Sequence, residues 1–125
     1  QEQGGVTAMH DPTEGGLATG LREIALACGY GITVERESIP ILDLAENILG
    51  RFAIDPLGAL ASGSLLVCCE EDYAGKILNA WEKNEIPGAI IGRITTNPDM
   101  ILTRGGKQEI LPEFASDEIT KIFSA

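Results

Sequence analysis

Apolar residues recur along this chain in blocks of alternating period, and those blocks predict an ordered series of elements. Residues 6–9 form a short strand candidate that runs into His10-Asp11-Pro12-Thr13-Glu14-Gly15-Gly16. Leu17, Leu21, Ile24, Ala25 and Cys28 then share one helical stripe, with Gly29 and Gly31 placed to end the helix. Residues 32–35 alternate as a strand. Leu44, Ala45, Ile48, Leu49 and Phe52 predict a second helix, stopped by Asp55-Pro56. Residues 64–70 are nearly all apolar, the pattern of a central strand covered on both faces. Asp72 opens a third helix carrying Tyr73, Ile77, Leu78 and Trp81, with Pro87-Gly88 beyond it. Residues 89–95 and 100–104 read as strands around an Asn97-Pro98-Asp99 turn, and Gly105-Gly106 is a two-residue hairpin turn into residues 108–111. Ser116 caps a closing helix over residues 116–123, with Asp117 and Glu118 in its first turn and Ile119, Ile122 and Phe123 as its docking stripe. The order β-α-β-α-β-α-β-β-β-α implies an α+β fold, a layered α/β/α domain with a mixed sheet. No internal repeat or low-complexity tract interrupts it.

Composition narrows the function classes. At 125 residues the chain fits one domain, and its 44% hydrophobic content is enough to bury a core. The formal net charge is −10, and the 9 Lys and Arg are scattered without a cluster. Polyphosphate surfaces need a basic footprint to displace counterions, so nucleic acid and acidic membranes are excluded as partners. No apolar run approaches the roughly 20 residues of a membrane span. The start, Gln1-Glu2-Gln3-Gly4-Gly5, carries neither an initiator Met nor a signal pattern and reads as the continuation of a longer polypeptide. Cys28, Cys68 and Cys69 lack a metal-clip spacing, because neighbouring strand residues point to opposite faces. They read as buried thiols in a reducing cytosol.

Chemistry concentrates in residues 9–18. This is a strand-to-helix turn in which Asp11 or Thr13 is placed to cap and Pro12 suits the first helical position. Gly15 and Gly16 are poor helix formers at the point where backbone N–H groups are unpaired, and such groups with the helix dipole suit a phosphate. The same residues also fit a capped helix whose glycines pack against a neighbouring segment.

The stretch from Met9 to Ala18, continued by Leu21, Glu23, Ile24 and Ala25, closely resembles the signature of the hydrogenase-maturation dehydratases called HypE. That group sits in the ATP-dependent superfamily of aminoimidazole-ribonucleotide synthetase, selenophosphate synthetase and thiamine-phosphate kinase. Ser38-Ile39-Pro40, Asp55-Pro56-Leu57, the small-residue turn Leu60-Ala61-Ser62-Gly63-Ser64 and Ile91-Gly92-Arg93-Ile94 extend the likeness from Thr7 to Leu111.

The resemblance implies that residues 1–125 form a single carboxy-terminal domain, preceded in the full-length protein by an ATP-binding barrel domain. It implies ATP in a cleft between the two, magnesium held mainly by acidic residues of the preceding domain, a cytoplasmic homodimer, and an unidentified small-molecule substrate. By motif, His10 and Asp11 are the candidate catalytic residues, and Thr13, Gly15, Gly16, Ser62 and Gly63 the candidate nucleotide- and phosphate-binding ones. No metal ligand is assigned within the chain. The isolated domain is expected to be inactive and to bind ATP only in the millimolar range or weaker. A non-catalytic, nucleotide-binding regulatory or scaffold paralogue is the alternative. One departure stands out: HypE proteins carry a reactive cysteine on their tail, whereas no cysteine follows Cys69 here. With a native carboxy terminus, the chain could not form the thiocyanate on its own tail.

Overall fold

A computed structural model describes residues 4–59 and 61–123. Residues 1–3, Leu60 at the head of the small-residue turn, and residues 124–125 lie outside the described part. The elements follow the expected order. Strand β1 (Val6–His10) leads into α1 (Gly16–Cys28), β2 (Gly31–Glu35), α2 (Asp43–Arg51), β3 (Leu66–Cys69), α3 (Glu71–Lys83), β4 (Gly92–Thr95), β5 (Met100–Arg104) and β6 (Lys107–Ile110). Short 3-10 turns occupy Arg36–Ser38, Pro56–Gly58 and Glu118–Phe123.

The strands form two sheets. A four-stranded mixed sheet runs β4-β2-β5-β6, with β2 parallel to β5 and the other pairs antiparallel. Strands β1 and β3 make a separate antiparallel pair. The architecture is the mixed α+β fold expected from the pattern. Gly105 and Gly106 have φ of 55° and 79°, the left-handed pair that a tight hairpin requires, and Arg104 faces Lys107 across the turn.

The core lies between α1 and one face of the larger sheet. Ala18, Leu21, Ile24 and Ala25 of α1 meet Ile32 and Val34 of β2 and Leu102 of β5. Ile39, Leu57, Leu66 and Leu111 complete the cluster. Leu57, Leu102 and Leu111 are the largest fully buried side chains, each adding about 1.5–3 kcal/mol of burial. Helix α1 ends as its sequence dictates: Gly29 adopts φ 73° and donates its N–H to the Ala25 carbonyl at 3.0 Å. Gly31 belongs to β2 instead, where its missing side chain lets the carbonyls of Asn97 and Asp99 rest on it.

Three expectations require correction. The apolar run over residues 64–70 does not form a central strand. Only Leu66–Cys69 are extended, they pair with β1 alone among the described strands, and Leu65 is 55% exposed. The second helix forms, yet none of its residues is buried, and Leu44, Ile48 and Phe52 face solvent. The closing segment is a 3-10 turn over Glu118–Phe123, capped by Asp117 rather than Ser116, with Phe123 83% exposed. The carboxylate of Asp117 fixes the start of the turn, and the Thr120 N–H bonds back to the Asp117 carbonyl at 3.1 Å, the i→i+3 spacing of a 3-10 turn.

Candidate functional site

The loop between β1 and α1 is built around backbone. Pro12 is fully buried against Gly20 of α1, where an added Cβ would meet the proline Cβ at 2.8 Å. The Thr13 carbonyl accepts the N–H of Gly16 at 3.2 Å and that of Ala61 at 3.3 Å. One oxygen thereby joins the 11–16 loop to the turn containing Ser62 and Gly63, the two segments singled out from sequence. Ser64 closes that turn by donating its N–H to the Ala61 carbonyl at 3.1 Å, and Gly63 holds φ 93°. Asp11, Thr13, Ser62 and Gly63 are all exposed.

Neither Asp11 nor Thr13 caps α1. The cap position is Gly15 at φ 79°, without a side-chain bond to the helix start. The Gly15 N–H is donated instead to Asp117 Oδ2 at 2.8 Å, and its carbonyl accepts from Thr19 Oγ1 at 2.8 Å. Gly16, at φ 70°, has a steric reason to be glycine. A Cβ there would sit 2.5 Å from the Leu57 carbonyl oxygen, 2.6 Å from that of Ala59 and 2.8 Å from the Gly58 carbonyl carbon. The amides expected to be unpaired are therefore engaged within the chain: Gly15 by Asp117, Gly16 by Thr13.

His10 ends β1 half-buried, and its Nε2 lies 2.6 Å from Glu23 Oε2 on α1. A carboxylate at that distance fixes the ring's orientation. Arg22, next along the helix, donates to the Leu111 carbonyl at 3.1 Å and pairs with Glu113 at 3.2 Å, tying the closing segment to α1. Beyond that clamp, Phe114 and the Glu118 side chain pack over Gly58. Glu118 is the buried acidic residue of the segment and pairs with Lys121 at 2.7 Å.

Sequence reasoning did not find Asp117 or Glu23 as partners of the motif. Asp117 lies 102 residues from Gly15, a separation that no local pattern reveals. Among the described residues no three His, Cys, Asp or Glu side chains gather into a metal site. Of the thiols, Cys28 is exposed, while burial pushes the Cys68 thiol above its ordinary value and disfavours its nucleophilic thiolate.

Known proteins resemble the chain in both sequence and shape. It is 36% identical over 76 residues to the carbamoyl dehydratase HypE of Cupriavidus necator, covering 61% of this chain and 22% of that protein. It is 28% identical over 92 residues to the carbamoyl dehydratase HypE of Escherichia coli, covering 72% and 27% respectively. The chain thus spans roughly a quarter of these relatives' length. It superposes on a chain in the crystal structure of a HypE–HypF complex with TM-score 0.82 at 27% identity, covering 88% of this chain and 37% of that one. A crystal structure of HypE in complex with ATP shares the fold, with TM-score 0.83 at 24% identity and coverage of 93% and 38%. Residues 1–105 match the family described as AIR synthase related protein, C-terminal domain. The order of elements, the mixed sheet and the glycine-rich start of α1 all accord with that match, and the chain belongs to this family.

Proposed function

We propose that this chain is the carboxy-terminal domain of an ATP-dependent enzyme of the HypE type, whose loops at residues 11–16 and 61–64 form the phosphate-side wall of a nucleotide cleft. The observation that carries this reading is the Thr13 carbonyl, which holds both loops together. Asp11, Thr13 and Ser62 are exposed on the loops that meet there, which supports the reading. Two relatives bear the name carbamoyl dehydratase, and a HypE of the same fold was solved with ATP.

Dehydrating a carbamoyl amide to a nitrile removes the carbonyl oxygen and two N–H protons. ATP supplies the activation, carrying the oxygen away as phosphate. The chain's own residues then have defined tasks. Thr13 orients phosphate oxygens through its hydroxyl. Asp11, exposed and acceptor-only when ionised, takes up or steers an amide proton. His10, held by Glu23, is a second proton carrier at 2.6 Å from its partner. The loops contain no Lys or Arg, so phosphate charge is met by backbone dipoles here and by groups outside the domain. Magnesium is assigned to residues outside this chain, and the working enzyme to a cytoplasmic homodimer.

The test uses the full-length protein. Asp11→Asn and Thr13→Val should each lower ATP turnover by roughly tenfold or more while leaving thermal stability unchanged, because both side chains are exposed. Wild-type ATP affinity and turnover in both variants would overturn the assignment.

A further inference from the structure

We propose that the exposed face of α2 docks a second copy of this chain, the two helices packing antiparallel across a twofold axis at Ile48. The inference stands apart from the nucleotide reading above and does not depend on it.

Side chains four residues apart share one face of a helix, and α2 carries three such rows side by side. Ala45 and Leu49 make the half-buried row, continued from Ile41, which packs against the core. The next row is Leu44, Ile48 and Phe52, all exposed, with exposed Leu42 just before the helix. The third row, bordering the second, is Asp43, Asn47 and Arg51, again all exposed. None of these three polar side chains has a hydrogen-bonding or ionic partner among the described residues. The other acid of the helix, Glu46, lies off this row and is already paired with Arg36 at 2.5 Å. An apolar row next to a polar one, both open, is the anatomy of a docking face.

The occupant follows from the order of the polar row, which reads acid, amide, base. The helix dipole accounts for an acid at one end and a base at the other. It does not account for both lying on the row that borders the apolar one, with an amide midway between them. A twofold pair matches a surface with itself, so the row must be its own complement. Laid antiparallel about Ile48, Asp43 faces Arg51 of the second copy and Arg51 faces its Asp43. Leu44 meets Phe52 of the second copy, and Ile48 meets its own counterpart. Asn47 also meets its counterpart, and a side-chain amide, both donor and acceptor, can bond reciprocally there. A parallel pair would instead set Asp43 against Asp43 and Arg51 against Arg51. Two chains of net charge −10 repel each other, so a contact between them needs such a local pairing of opposite sign. The nine residues of α2 span only about 13 Å, so the pairing is weak and concentration-dependent.

Sedimentation equilibrium of the full-length protein and of the 125-residue chain, from about 10 μM to about 1 mM, covers the range in which so small a patch associates. Both should show a concentration-dependent association step; contacts made through other parts of the full-length protein are insensitive to residues 43 and 51 and form the baseline. Arg51→Asp and Asp43→Arg should each weaken the step about tenfold or more, because each sets like charges opposite one another at both ends of the pair. Mixed in equal amounts, the two variants should associate as the wild type does, since acid then faces base at both ends. Ile48→Ser should weaken the step as well. Far-UV circular dichroism checks each variant's helix, and a rescue on mixing cannot come from an unfolded chain. A wild-type 125-residue chain that stays monomeric throughout, or reversals that fail to rescue one another, overturns the proposal. Association of the short chain without a matching step in the full-length protein would give this face to the rest of the polypeptide and overturn it too. So would association that Ile48→Ser weakens and neither reversal touches, the mark of unspecific apolar contact.

Discussion

Asp117 Oδ2 and the backbone N–H of Gly15 are joined at 2.8 Å across 102 residues of sequence, so the closing turn is tied to the residue that precedes α1. The same side chain caps its own turn at Ile119. Removing it leaves two backbone donors without their acceptor. Asp117→Ala in the 125-residue chain should therefore lower unfolding stability by about 1–3 kcal/mol. Asp117→Asn should cost less, since an amide oxygen still accepts a bond. Urea unfolding of the three proteins checks the order; equal midpoints would mean that water replaces the carboxylate without loss.

Two glycines of the candidate site should behave differently. Gly16 holds φ 70° and has the backbone of residues 57–59 where its Cβ would lie, so Gly16→Ala should cost more than about 2 kcal/mol and Gly16→Val should prevent folding. Gly63 also has positive φ, 93°, but no atom lies within 4 Å of its Cβ position. Gly63→Ala should cost about 1 kcal/mol, from backbone strain alone. Thermal melts of both variants separate steric need from conformational need. The same geometry supports the reading in which this glycine packs against a neighbouring segment.

Much of the fold was legible because hydrophobic period reports directly on element type. The stripe of Leu21, Ile24 and Ala25 lies in the core, and Gly105-Gly106 makes the hairpin turn. What covers an apolar segment was not legible. Residues 65–69 carry the run of a central strand, yet β3 has β1 as its one partner among the described strands. Periodicity also could not distinguish the buried face of α1 from the exposed face of α2, since both show the same spacing. At the site, the two loops were visible as glycine-rich turns, and their meeting through Thr13 agrees with reading them as one place. The contacts of Asp117 with Gly15 and of Glu23 with His10 were invisible, because tertiary proximity alone creates them.

Glu37 provides a pH-dependent contact with the β5–β6 hairpin. Its Oε1 accepts the Gly105 N–H at 2.6 Å, and this bond holds the carboxyl below its ordinary value of 4.5. A carboxylate whose folded value is depressed contributes stability that is fully present above its unfolded value. That contribution is lost as pH falls through the folded value. The stability difference between wild type and Glu37→Gln should thus be constant near neutrality and shrink progressively below about pH 4.5. Unfolding midpoints measured from pH 7 down to acid read it directly. A difference that grows on acidification would contradict the assigned contact.

The apolar stripe of α2 makes a prediction opposite to the one its sequence suggests. Leu44, Ile48 and Phe52 recur at helical spacing as a core face would, yet they are 70%, 46% and 51% exposed. Little burial is lost when such a side chain becomes polar. Leu44→Ser, Ile48→Ser and Phe52→Ser should each change the stability of the 125-residue chain by no more than about 0.5 kcal/mol. Leu57→Ala, at 1% exposure inside the core, should cost about 2–5 kcal/mol by comparison. Adjacent exposed apolar residues also promote self-association, so the serine variants should remain soluble at concentrations where the wild-type chain precipitates. Denaturant midpoints give the first comparison and light scattering the second. Losses of core size at Ile48 or Phe52 would show that α2 is packed against the domain in solution.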